Sequence, residues 1–155
     1  MNSATLKTMF SSEDMSWETP QDFYNKLNEE FDFDLDPCAT SSTAKCAKYF
    51  TEDDDGLKQS WSGHTVFCNP PYGREIKNWI KKAYEESTCP GTTVVMLIPS
   101  RTDTIYWHRY VMRAKEIRFV KGRLKFGKST TPAPFPSAVV VFKADKIPEI
   151  KTMEA

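Results

Sequence analysis

The stretch Thr92-Thr-Val-Val-Met-Leu-Ile98 is an apolar run with no polar alternation, set just beyond Cys89-Pro-Gly91. A half-buried strand alternates apolar and polar residues; an unbroken run of this length needs cover on both faces. The chain must therefore supply a sheet with a strand in its middle and helices to lie on either side. That requirement constrains the fold more tightly than any other feature of the sequence.

The helices can be found. Thr19-Pro20 reads as a helix start, Thr as N-cap and Pro at the first position, followed by Phe23, Leu27 and Phe31 at four-residue spacing. Ile76, Trp79, Ile80, Ala83 and Tyr84 form a second apolar stripe, with Lys77, Lys81 and Lys82 on the other side. A third amphipathic helix is expected near Thr104 to Ala114, and a short one over residues 40–48. Phe31-Asp-Phe-Asp-Leu-Asp36 alternates as a strand does and stops at Pro37, and His64–Cys68 is a short buried strand. Ile117–Phe126 and Ser137–Lys143 are two further strand-like runs, joined by the Pro-rich segment 127–136. Alternating strands and helices imply an α/β sheet with crossover connections, and the last pair adds an antiparallel edge. One domain over residues 17–145 is expected, with a loose arm over 1–16 and a tail over 146–155. In such sheets ligands bind at the carboxyl ends of the strands. Asp36-Pro37 and Asn69-Pro70-Pro71-Tyr72 should then share one rim.

Charge enters because of where it falls. The chain is neutral overall, yet residues 1–60 hold 13 acids and 5 bases, whereas residues 61–155 hold 8 acids and 16 bases. The stretch Arg101–Lys128 is the most basic, and reads either as ordinary solvated faces or as a phosphate-binding patch. The four cysteines form no C-x-x-C pair and cluster with no histidine, so no metal site is expected. With no apolar span of membrane length and no signal-peptide pattern, no membrane association is expected, and the protein is read as cytoplasmic.

The chemistry concentrates at Asn69-Pro-Pro-Tyr72. Two prolines stiffen the turn and remove two N–H donors, so its carbonyls are not taken up locally. The Asn69 side-chain carbonyl and the Pro70 carbonyl make a pair of acceptors suited to an NH₂ group. Tyr72 offers a flat face for the ring bearing that NH₂. Accepting both hydrogens drives an aromatic amine toward tetrahedral geometry and localises its lone pair for attack on a sulfonium methyl. No strong base is needed beforehand, so positioning and electrostatics would supply the catalysis.

Asn-Pro-Pro-Tyr after a strand resembles the catalytic motif of amino-group methyltransferases. Further motifs follow in order: Trp17-Glu-Thr-Pro20, Phe33-Asp-Leu-Asp-Pro-Cys-Ala39, Tyr49-Phe-Thr51 with Asp54-Asp-Gly-Leu57, Arg101-Thr-Asp-Thr104, Gly122-Arg-Leu-Lys-Phe126 and Pro134-Phe-Pro-Ser-Ala138. As an ordered set they resemble the phage-type DNA N-6-adenine methyltransferases, relatives of the Dam methylases, from about Trp17 to Phe142.

The resemblance implies a single-domain Rossmann-like fold, a mostly parallel sheet with helices on both faces and an antiparallel edge. It implies transfer of a methyl group from S-adenosylmethionine to the N6 amino group of an adenine that is flipped out or already unpaired. Asn69, Pro70, Pro71 and Tyr72 would be catalytic. Asp36, Pro37, Cys38 and Ala39, with Thr19 and Pro20, would face the methionine part of the cofactor, and Asp54 or Asp55 its adenine. Arg101, Arg123 and Lys125 would contact phosphates of the DNA partner. A monomer or homodimer acting in the cytoplasm of a phage's host is expected. One departure is that Ala39-Thr-Ser-Ser-Thr43 carries no glycine where a G-x-G-like run is usual. The same tetrad also suits methylation of a protein glutamine or an RNA amino group, and a non-catalytic DNA- or cofactor-binding relative is the other alternative.

Overall fold

The computed structural model of the chain describes residues 17–144 and 148–155, so the arm expected over residues 1–16 lies outside the described residues. Among the described residues, three α-helices, α1 (Gln21–Phe31), α2 (Ile76–Ser87) and α3 (Ile105–Arg109), accompany five strands. The strands are β1 (Thr65–Cys68), β2 (Thr93–Pro99), β3 (Glu116–Lys121), β4 (Ser137–Phe142) and β5 (Glu149–Glu154), in one sheet of order β1-β2-β4-β3-β5. The apolar run becomes β2, in which Val94 to Ile98 are fully buried. Each such side chain contributes about 1.5–3 kcal/mol through removal from water.

Strand register shows what covers each face, because directly paired residues point to the same side. Val94 pairs with Val66 and with Phe142, and the Phe142 ring meets Tyr84 of α2. Phe119, on that same side, stacks on Trp107 of α3. On the opposite side Phe67 meets Tyr24 of α1, and Arg118 reaches Glu30 at the end of α1. Helices therefore lie on both faces, as the apolar run requires. The Phe23/Leu27 stripe is buried, and α2 buries Ile76, Trp79, Ile80 and Ala83.

The sheet is mixed rather than mostly parallel. β1 with β2 and β3 with β5 are parallel, whereas β4 is antiparallel to both β2 and β3. The β3–β4 antiparallel pair is present, but β4 inserts in the middle of the sheet rather than at an edge. All six of its residues are buried, as a central position demands. Glu149–Glu154, in the segment read as a tail, adds a strand beside β3.

Smaller differences have local causes. The first helix starts at Gln21 with Pro20 as the boundary residue, and no side chain caps it. Residues 40–48 form turns and bends rather than a helix. Residues 33–36 are extended but bridge only at Leu35 to Val66 and Asp36 to Tyr49. The third helix breaks after Arg109 into a short 3-10 turn over Val111–Arg113. β3 stops at Lys121 because Gly122 turns the chain at φ +83°.

Candidate active site

Topology collects the loops. Leu35 runs parallel to β1, and β1 parallel to β2, so Asp36-Pro37, Asn69–Gly73 and Ser100–Thr104 all follow strand ends on one rim. Antiparallel β4 begins at that rim, since Ser137 pairs with Pro99, and this brings in Phe135. β3 ends there too, bringing in Gly122–Phe126. Motifs scattered over a hundred residues of sequence thus converge at one edge. The loops are tied to one another by Ser100 N–H to the Pro136 carbonyl at 2.9 Å, Gly127 N–H to Glu18 at 2.8 Å, and Ala133 N–H to Leu124 at 2.8 Å.

Asn69 stands at this rim, directly after β1. Its Nδ2 donates to the Trp17 carbonyl and to Thr19 Oγ1, the latter at 3.0 Å. Both amide hydrogens are thereby used, while Oδ1 is buried without a partner among the described residues. A buried acceptor without a donor costs about 1–3 kcal/mol, and Oδ1 is the one side-chain atom of the Asn69–Tyr72 turn in that condition among the described residues. Among the described residues no backbone N–H bonds the neighbouring Pro70 carbonyl either. The two acceptors expected from the tetrad are both available.

Tyr72 is placed differently from the expectation of an open face. It is buried, and its hydroxyl donates to the Leu97 carbonyl at 3.0 Å. Trp17 lies nearly parallel to its ring, with centroids 6.2 Å apart and planes 23° from parallel. Phe126 and Phe135 meet it edge-on at 6.1 and 5.6 Å. Burial holds the Tyr72 hydroxyl far above its ordinary pKa, so it stays protonated and is no base. The aromatic wall of Trp17, Phe126 and Phe135 was not foreseen as part of the site. The flanking prolines of Pro134-Phe-Pro136 and the rim position of Trp17 are the signals that would have found it.

Beside this wall lies a second group of polar residues. Asp36 is 4% exposed, and its carboxylate accepts from the Cys38 N–H at 3.3 Å and the Lys45 N–H at 3.0 Å. Desolvation outweighs those bonds and pushes its pKa up to about 6. The Cys38 thiol rises to about 12, from burial first and then from the charges of Asp36, Glu75 and Glu52. Asp36 is the buried acid of this group, and Glu52 and Glu75 are exposed. Gly56 closes the group: any Cβ there would stand 2.1 Å from the Pro37 carbonyl oxygen, so only glycine lets the 53–56 turn approach. The approach joins Asp54 and Asp55 to the Asp36–Ala39 turn. Asp54 Oδ2 already accepts from the Thr51 N–H and hydroxyl, at 2.9 and 3.0 Å, while Asp55 pairs loosely with Lys58 at 3.8 Å.

The basic stretch divides. Arg118 is buried between Glu30 and Glu116 at 2.6 and 2.8 Å, and Lys115 and Lys121 pair with Glu149 and Glu154. These cations hold the sheet edge together. Arg101, Arg123 and Lys125 are exposed on rim loops, with Arg123 donating to the Ala133 carbonyl at 3.2 Å. Among the described residues no helix is long and apolar enough to cross a membrane, and no group of three metal-ligating side chains occurs. The four cysteines are unpaired.

The chain is similar to known proteins over most of its length. The family model described as DNA N-6-adenine-methyltransferase (Dam) matches residues 5–148. A DNA N-6-adenine-methyltransferase of Haemophilus phage HP1 is 29% identical over 135 residues, covering 82% of this chain and 78% of that protein. A DNA N-6-adenine-methyltransferase of Escherichia phage T1 is 28% identical over 110 residues, covering 70% of this chain and 45% of its own length.

Proposed function

Since the chain belongs to the DNA N-6-adenine-methyltransferase (Dam) family, we propose that Asn69 and Pro70 receive the N6 amino group of adenine and prepare it for methylation. The chain is an adenine-specific DNA methyltransferase. The observation that carries the assignment of the site is the buried Asn69 Oδ1, whose own amide hydrogens are fully used and whose lone pairs are not.

S-adenosylmethionine, when bound, supplies an electrophilic methyl group. Asn69 Oδ1 and the Pro70 carbonyl accept the two N–H hydrogens of the adenine, which localises the nitrogen lone pair and orients it for in-line attack. The same two oxygens stabilise the positive charge that develops on nitrogen. The proton leaves after transfer, so no side chain at the rim has to act as a strong base. Pro71 keeps the turn rigid, and Tyr72 with Trp17 walls the pocket against water. A base that stacks directly on Tyr72 has to displace or slide past Trp17.

The acid-rich group suits the cofactor's charge. Asp36 with Pro37, Cys38 and Ala39 would hold the methionine end with Thr19 and Pro20, and Asp54 or Asp55 would accept from the adenine end. Arg101, Arg123 and Lys125 would grip phosphates as the base leaves its stack. We read the enzyme as phage-encoded and acting on DNA in the host cytoplasm.

The test is nucleoside mass spectrometry of unmethylated DNA, single- and double-stranded, incubated with the protein and S-adenosylmethionine. N6-methyladenine should form with the native protein and far more slowly with Asn69→Ala. Full activity in Asn69→Ala would remove Asn69 from the chemistry. Methylation of RNA or of a glutamine side chain in place of DNA would move the same site to another amino group.

A further inference from the structure

We propose that Thr19 is a positioning residue for Asn69: its hydroxyl, together with the Trp17 carbonyl, sets which end of the Asn69 amide faces the target amino group. The inference rests on reading Asn69 Oδ1 as the acceptor of that group.

An asparagine amide has nearly the same shape after a half-turn, so packing alone cannot tell its oxygen from its nitrogen. Chemistry can. In the flipped state Nδ2 would present two donors to an NH₂ group that is itself a donor, and no productive contact would form. The correct orientation is therefore a requirement of the reaction, and something must enforce it.

The segment before α1 does so. The Trp17 carbonyl can only accept, and it takes one Nδ2 hydrogen. Thr19 Oγ1 takes the other at 3.0 Å and keeps its own hydrogen for a further partner. Flipping the amide would set Oδ1 against the Trp17 carbonyl, two acceptors with no hydrogen between them. Thr19 is 2% exposed, so water is not at hand to substitute for the hydroxyl. Nothing local needs that hydroxyl: α1 begins at Gln21 without a side-chain cap. The Thr19 side chain instead reaches across fifty residues of sequence to a catalytic loop.

A merely structural bond would hold residues 17–20 against β1 and lower thermal stability when lost, without altering the chemical step. Positioning predicts a different pattern. Thr19→Val removes the acceptor while keeping the shape, and should slow single-turnover methyl transfer about tenfold or more, the factor expected of one lost hydrogen bond of ordinary strength. The KM for DNA should change by less than about threefold, because the loss falls on the transition state. Thr19→Ser should return the rate to within about threefold of the native value.

The second measurement is nuclear magnetic resonance of ¹⁵N-labelled protein without DNA. The Asn69 side-chain NH₂ should show slow exchange with water in the native protein and in Thr19→Ser, and faster exchange in Thr19→Val. A native rate in Thr19→Val, or a change confined to KM, overturns the inference while leaving the methyltransferase reading intact. If the native protein methylates no DNA, that reading fails, and the exchange data alone judge the hydrogen bond. If Thr19→Val does not fold, solvent-rate exchange of the Asn69 amide in the native protein would overturn the inference, and slow exchange would uphold it.

Discussion

Asp36 and Glu116 are both buried acids, 4% and 8% exposed, set toward opposite edges of one sheet. Burial pushes Asp36 up to about 6, since backbone N–H groups are its hydrogen-bond partners. Burial would raise Glu116 as well, but hydrogen bonds from Lys151 and Arg118 outweigh it and hold that carboxyl below its usual range. The difference separates two kinds of polar region. Around Glu116 each charge meets an opposite one, and the cluster stitches α1, β3 and β5 together. At the rim, backbone N–H groups are the hydrogen-bond partners of Asp36, and Asn69 Oδ1 has no partner among the described residues. One region is held by pairs of opposite charge, the other by backbone N–H groups.

The contrast can be broken in four ways. The largest effect is expected from Asn69→Ala, which should lower the single-turnover rate on the order of 10²–10³-fold with a melting temperature within a few degrees of native. A loss below about threefold would mean the orphaned acceptor is not at the reacting nitrogen.

Next comes pH. Asp36 binds its proton more tightly folded than unfolded, so its stabilising contribution is full below about 3.8 and is lost as pH rises through about 6. The change amounts to about 3 kcal/mol over that window. Glu116 runs the other way: its contribution is present above the usual carboxylate value and is lost as pH falls. Urea denaturation between pH 4 and 7 should show a falling limb that flattens in Asp36→Asn. An unchanged slope would show that Asp36 is not desolvated.

Arg118→Met should lower stability by about 2 kcal/mol in urea, through loss of charged hydrogen bonds to Glu30 and Glu116, with kcat unchanged. A parallel fall in kcat would erase the distinction between the two regions. The smallest effect belongs to Tyr72→Phe. Losing the bond to the Leu97 carbonyl should cost about 1 kcal/mol. Methyl transfer should stay within about threefold of native, with the same pH–rate profile, because that hydroxyl is buried and protonated. A shifted profile would return the hydroxyl to the chemistry.

Legibility followed how local the physics was. The stripes of α1 and α2, the apolar β2 and the stiff Asn69–Tyr72 turn depend on side-chain period and proline geometry, and both are visible in a linear chain. The central place of β4 is not legible, although Ala138-Val-Val-Val-Phe142 is an unbroken apolar run like β2; two successive strand-like runs read as an antiparallel edge, and insertion between β2 and β3 is a matter of packing. Thr19 looked like a cap because its neighbour is Pro20, and only the fold showed its hydroxyl committed to Asn69. The basic run Arg101–Lys128 looked uniform, yet α1 and β5 neutralise part of it with acids from distant segments.

By itself, the sequence determined the stripes of α1 and α2, the covered strand β2 and the stiff turn at Asn69–Tyr72, because period and proline stereochemistry act over a few residues. Tertiary structure alone decided the mixed strand order, the aromatic wall around Tyr72 and the direction in which the Asn69 amide faces. Each of these depends on which distant groups become neighbours, and that is settled only when the sheet closes and its rim loops meet.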